Sequence, residues 1–117
     1  MGVRNNLVSA TIANAASLSG AVFLGSGTLI RIQMPTGWTA ASLTFQVSED
    51  GVTYQNHYDD AGNEVTLTVA ASRSVQVTPD SLQGALYLKV RSGTSGSAVN
   101  QGAERVLTLV ATKFEGK

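Results

Sequence analysis

His57 is the only histidine in the sequence, and it stands in Tyr54-Gln55-Asn56-His57-Tyr58-Asp59-Asp60, the most polar and aromatic stretch of the chain. An imidazole two residues from a carboxylate can ligate a metal or act as a general base. A Ser-His-Asp arrangement can be drawn from Ser48, His57 and Asp59, but no nucleophile elbow or comparable motif places the serine. The plainer reading makes His57 an exposed strand-end residue beside a turn, and no catalytic residue is assigned. Asp59, Asp60, Asn63 and Glu64 crowd a glycine-containing loop, and oxygen ligands in a short turn can hold calcium. Their spacing departs from the twelve-residue calcium loop. Asp, Asn and Gly are also what a tight turn selects for backbone reasons. The turn reading is preferred and no metal ligand is assigned; a calcium titration followed by melting would decide between the two.

Other chemistry-bearing residues are scattered. Gly20, Gly25 and Gly27 match neither the dinucleotide fingerprint nor a phosphate loop, and no helix follows to aim its dipole at a phosphate. Turns or bulges account for them, so no cofactor is expected. Lys89 and Arg91 share a strand face, with Arg105 as a candidate neighbour, and could form a small basic stripe for a phosphate or carboxylate. Three cations in a neutral chain more ordinarily make a solvated rim of ion pairs, worth ~0–1 kcal/mol each. Trp38, Tyr54 and Tyr58 could stack on a sugar. A lone tryptophan at a strand entrance is more commonly a core plug or an interface anchor.

The elements that must position these residues read as strands. In Thr28-Leu29-Ile30-Arg31-Ile32-Gln33-Met34 the period is two, which places Ile30, Ile32 and Met34 on one face until Pro35 ends the ladder. Leu43, Phe45 and Val47 alternate with Thr44, Gln46 and Ser48. Glu49-Asp50-Gly51 then gives a strong hairpin signal, with Val52 and Tyr54 on the returning strand. Further strands are expected with inner faces Val65, Leu67 and Val69; Val75 and Val77; Leu86, Leu88 and Val90; and Leu107 and Leu109. Pro79-Asp80-Ser81 stops one strand and can start a single helical turn. Residues 92–104 read as a long Gly/Ser loop. Residues 7–12 and 21–24 are weaker strand candidates, and residues 7–21 are the nearest thing to a helix, weakened by Val8, Thr11 and Ile12. Eight or nine short strands at intervals of about ten residues predict an all-β fold, an antiparallel β-sandwich of jelly-roll type.

Composition sets the outer bounds. The 117 residues suit a single domain. That domain divides into an N-terminal segment, 1–27, serving as a docking arm or first strands, and a sandwich body, 28–117. Eight basic and eight acidic residues cancel, so no global field draws the chain to nucleic acid or anionic lipid. Charged residues are 14% of the chain, well below the roughly 25% of ordinary soluble domains. The surface must therefore be small and neutral, which suits docking. Cysteine is absent, which removes disulfides, thiolate metal sites and cysteine nucleophiles. Asn14, Ser17 and Ser19 interrupt any signal-peptide core, and no run approaches the ~20 apolar residues of a spanning helix. The expectation is a non-enzymatic, cytoplasmically made small gene product.

A resemblance extends over residues 32–110. It is carried by Gln33-Met34-Pro35-Thr36-Gly37-Trp38-Thr39-Ala40-Ala41, by Leu43-Thr44-Phe45-Gln46-Val47-Ser48-Glu49-Asp50-Gly51-Val52-Thr53-Tyr54, and by Tyr58-Asp59-Asp60-Ala61-Gly62. Tyr87-Leu88-Lys89-Val90-Arg91-Ser92-Gly93-Thr94 and Val99-Asn100-Gln101 continue it. These segments resemble a family of small structural proteins encoded among phage and prophage virion genes. The resemblance implies a virion β-sandwich similar to jelly-roll capsid decoration (cement) proteins or tail-associated modules. It brings no catalytic residues. The implied function is a capsid decoration protein that binds the major capsid protein, or tail proteins, and stabilises the head. Such a protein would be made in the host cytoplasm and located on the virion surface, as a homo-oligomer for which a trimer is the expected form. Residues 2–20 and 92–104 are the expected contact elements. The alternative is a tail-fibre, baseplate or carbohydrate- or receptor-binding β-sandwich module that uses Trp38, Tyr54 and Tyr58.

Overall fold

The structure, a computed structural model, describes residues 2–115. Their strands are β1 (Gly2–Ile12), β2 (Val22–Phe23), β3 (Thr28–Gln33), β4 (Leu43–Ser48), β5 (Gln55–Asn56), β6 (Ser74–Gln76), β7 (Tyr87–Thr94), β8 (Ser97–Ala98) and β9 (Arg105–Glu115). One sheet has the order β1-β9-β3-β6 and the other β2-β7-β4-β5, with β8 attached to β7. All the pairings are antiparallel. The pairs nest around the central β4–β5 hairpin: β3 with β6, β2 with β7 and β1 with β9, falling alternately in the two sheets. This nesting is the jelly-roll form of the β-sandwich, so the expected fold class is the observed one.

Alternation explains the core. Leu43 and Phe45 of β4, Leu88 and Val90 of β7, and Leu107 and Leu109 of β9 are fully buried, and they meet Ile12, Leu29 and Ile32 between the sheets. The β3 reading needs correction by one residue. A bulge falls between Leu29 and Arg31 where β3 pairs with β9. The extra residue shifts the pleat, so Leu29 turns inward with Ile32 and Met34 while Ile30 is only half-buried.

The chain outside residues 28–117 contributes strands to both sheets. β1 lies alongside β9 over its whole length, so residues 7–12 are extended rather than helical. Residues 92–104 are also more ordered than their composition suggests: β7 continues to Thr94, and Gly93 and Thr94 pair with Ala98 and Ser97 of β8. The returning strand after Asp50-Gly51 starts later than expected, at Gln55, and Val52 projects into solvent. Residues 64–69 form no named strand and touch the sheet through the Leu43–Leu67 bridge, while the Tyr58–Glu64 bridge closes their hairpin on itself. The single helical turn is a 3-10 turn, Pro79–Ser81.

Candidate functional site

The polar stretch that contains His57 becomes a small hairpin standing off the edge of β4. Phe45 accepts a hydrogen bond from the His57 amide (3.0 Å), and Leu43 and Leu67 exchange two backbone bonds of 2.9 Å each. Between these anchors the chain leaves the sheet and returns, closed by Asp59 N–H to the Asn63 carbonyl (2.8 Å). One carboxylate oxygen of Asp59 accepts the Ala61 and Asn63 amides at 2.9 Å. That oxygen makes the turn, as Asx residues do.

Glu64 points away from Asp59 and Asp60. Its carboxylate meets Arg91 Nη1 at 3.3 Å and accepts the Ser95 amide at 3.2 Å on both oxygens. Arg91 also donates to Thr44 Oγ1 (3.2 Å) and Asn56 Oδ1 (2.6 Å). The structure therefore splits the acidic loop into a self-satisfied turn and an ion pair pinned to β7, and among the described residues no three such side chains are grouped to hold a metal.

The basic stripe dissolves for the same reason. Arg91 is committed to Glu64, Asn56 and Thr44. Lys89 Nζ sits 4.5 Å from the centroid of the Tyr54 ring, a cation–π contact. Arg105 lies apart, donating to Gln101 Oε1 (3.1 Å) and Thr39 Oγ1 (3.2 Å). Gln101 is itself buried and ties Thr39 to Ser92, a network that its place in a Gly/Ser-rich run gave no sign of.

Of the three aromatics that could stack on a sugar, two are occupied. Trp38 is 9% exposed and donates its indole N–H to the Ala41 carbonyl at 3.0 Å, which makes it a core plug. Tyr54 lies under Lys89, and its hydroxyl is buried without a partner among the described residues. Tyr58 remains available, at 49% exposure.

Tyr58 borders a cleft of about 500 Å³ between the hairpin and the 3-10 turn, lined by His57, Tyr58, Asp59, Asp60, Thr78, Asp80 and Ser81. His57 Nε2 meets the Ser81 carbonyl oxygen, which can only accept, so the ring donates there and ties the two walls together. Ser48 meanwhile bonds Asp50 Oδ1 at 2.9 Å, so the Ser48, His57 and Asp59 side chains have separate partners. Three aspartates and no lysine or arginine line the cleft. It is therefore an acceptor-rich, negatively charged recess beside an exposed aromatic ring. The far wall, Thr78 to Ser81, carried no site signal in the sequence, because Pro79-Asp80-Ser81 also reads as a strand stop.

No protein-family model matches the chain, and no curated protein matches it. Among solved structures it is similar to the crystal structure of chitosan-binding module 1 from a chitosanase/glucanase of Paenibacillus sp. IK-5. The two are 20% identical over 92% of this chain and 76% of that one, with a TM-score of 0.41.

Proposed function

We propose that this jelly-roll is a non-catalytic binding module that takes a saccharide in the cleft between residues 57–60 and 78–81. The observation that carries the reading is the half-exposed Tyr58 ring at the border of a recess lined by Asp59, Asp60 and Asp80. A pyranose offers two unlike surfaces, a C–H face and a ring of hydroxyls. The C–H face is weakly positive and settles on the negative face of an aromatic ring. The hydroxyls donate hydrogen bonds, and carboxylates are strong acceptors for them. Uncompensated negative charge should also favour amino-bearing units over acidic ones, with a preference that weakens as salt is raised.

A glycan array and affinity electrophoresis test the reading. Neutral or amino-bearing glycans should be retained, and Tyr58→Ala should weaken binding at least about tenfold, a loss of about 1.4 kcal/mol. Asp80→Asn should reduce the preference for amino sugars. An array without any glycan signal, or a Tyr58→Ala protein that binds as well as the parent, would refute it.

A second reading, a virion decoration protein that docks on a major capsid protein, draws on the outer face of the four-stranded sheet. There Ser9 and Thr11 of β1 lie opposite Thr108 and Val106 of β9, and with the exposed Leu7 they make a strip of uncharged side chains suited to docking, bounded on β3 by Arg31. Mass spectrometry of purified particles checks it: the protein should be found on heads, and confinement to the host lysate would sink it.

A further inference from the structure

β1 is an edge strand eleven residues long, paired on one side to β9. Natural sheets guard such edges with prolines, bulges, inward charges or short strands. Over its middle, residues 5–9, β1 has none of these; at one end Arg4 shares the pleat face of Val8, Ala10 and Ile12, and at the other the Gly20 amide bonds the Thr11 carbonyl (3.2 Å). Its register with β9 runs unbroken from Gly2 to Ile12, it contains no proline, and its single charge is Arg4. β2 is the edge of the other sheet. Between the two edges runs a groove of about 450 Å³ lined by Asn6, Leu7 and Val8 of β1, by residues 23–27, and by Ala111 and Lys113 of β9. Leu7 is 69% and Phe23 58% exposed there, among the most exposed large apolar side chains of the described residues. Short of Thr11, whose carbonyl accepts the Gly20 amide, the row of backbone groups facing away from β9 lies beside exposed apolar surface and fits an added strand.

We infer that the occupant is a second copy of this chain, its β1 pairing antiparallel to this β1 about a two-fold axis at Leu7. Three arguments select the second copy. The chain has zero formal net charge, so two copies approach without repulsion. Centring on Leu7 sets Leu7 opposite Leu7 and Val8 opposite Asn6, and it places Arg4 opposite Ala10. The two Arg4 residues then stand ~20 Å apart at 3.4 Å per residue, beyond the ~8 Å Debye length. The third argument is contact area. An edge ~30 Å long on a sheet ~10 Å thick buries about 300 Å² on each copy, and the exposed Leu7 and Phe23 of both copies must bring that total of about 600 Å² up to the ~1,000 Å² of a specific interface. The result is a continuous sheet of eight strands across the two-fold. The saccharide cleft follows β5 and β6, at the opposite edges of the two sheets, so the two proposals stand or fall separately.

Site-directed crosslinking on the full chain tests the pairing. The sequence has no cysteine, so Leu7→Cys introduces a lone thiol, and directly opposed residues of antiparallel strands bring their Cβ atoms to within ~4.5–5.5 Å. Mild oxidation should give a covalent dimer with Leu7→Cys but not with Val106→Cys, which is exposed on the next strand. In sedimentation the parent chain should form a dimer. Leu7→Lys, which puts like charges face to face, should raise the dissociation constant at least about tenfold, with circular dichroism unchanged because Leu7 is exposed. A monomeric parent, a three-fold assembly, equal crosslinking at both positions or an undisturbed Leu7→Lys dimer would each overturn the inference.

Discussion

Two turn residues show how single positions hold the frame. Gly93 has φ +90, and a Cβ there would lie 2.5 Å from the Ser97 carbonyl oxygen. That oxygen is backbone, held by the β7–β8 hairpin, so it cannot swing aside. Gly93→Ala should cost at least about 2 kcal/mol through backbone strain and this clash, read as a lower urea midpoint. Asp50 is the other. The Thr53 and Val52 amides and the Ser48 hydroxyl all donate to its carboxylate and hold its pKa below the usual carboxylate range. Folding thus favours the ionised form. Its contribution is present above the ordinary carboxylate pKa and is lost as pH falls through the lowered folded value. Asp50→Asn should melt at a lower temperature than the parent near neutrality, and the gap should close on acidification below about pH 4. A gap that stays constant across that range would contradict the assignment.

At the scale of elements, the chain from 57 to 67 is held to the sheet by little backbone pairing, so side chains must fix it. Arg91 on β7 reaches across β4 to Glu64 and Asn56, with side-chain exposures of 9% for Arg91 and 14% for Glu64. Glu64→Ala strands the guanidinium with Thr44 and Asn56 alone. It should cost about 3 kcal/mol, the low end of the roughly 3–5 kcal/mol for breaking a buried pair, as measured by denaturant unfolding. Pairing that change with Arg91→Met should recover part of the loss, since the unpaired charge goes with the arginine. Element identity was readable where burial on one face enforces alternation, as in β4, β7 and β9. It was less readable on β3, where the bulge after Leu29 moved the inner set, and at 64–69, where Val65, Leu67 and Val69 alternate but only half pack against the core. Alternation reports which face is buried. It does not report whether the backbone finds a partner strand.

At the scale of the molecule, the jelly-roll places the strand edges β1 and β2 on one side and β5 and β6 on the other. The two proposed surfaces are thus separated by the whole sandwich. The Cα radius of gyration is 13.6 Å, close to the ~13.4 Å expected of a compact chain this long. Nested pairing explains why the termini lie together, with β1 against β9, although about a hundred residues separate them.

Local patterning determined that the chain is built of strands, which face of most of them turns inward, and where Asp50-Gly51 and Pro79-Asp80-Ser81 reverse or stop it. Those features depend on neighbours a few residues away, through the pleat, turn conformations and the missing proline amide. Tertiary structure alone decided that Trp38 is a plug, that Glu64 belongs to Arg91 rather than to Asp59 and Asp60, and that Asp80 and Tyr58 line one cleft. Each of these depends on which strands become neighbours in space, and pairing across tens of residues leaves no periodic trace along the chain.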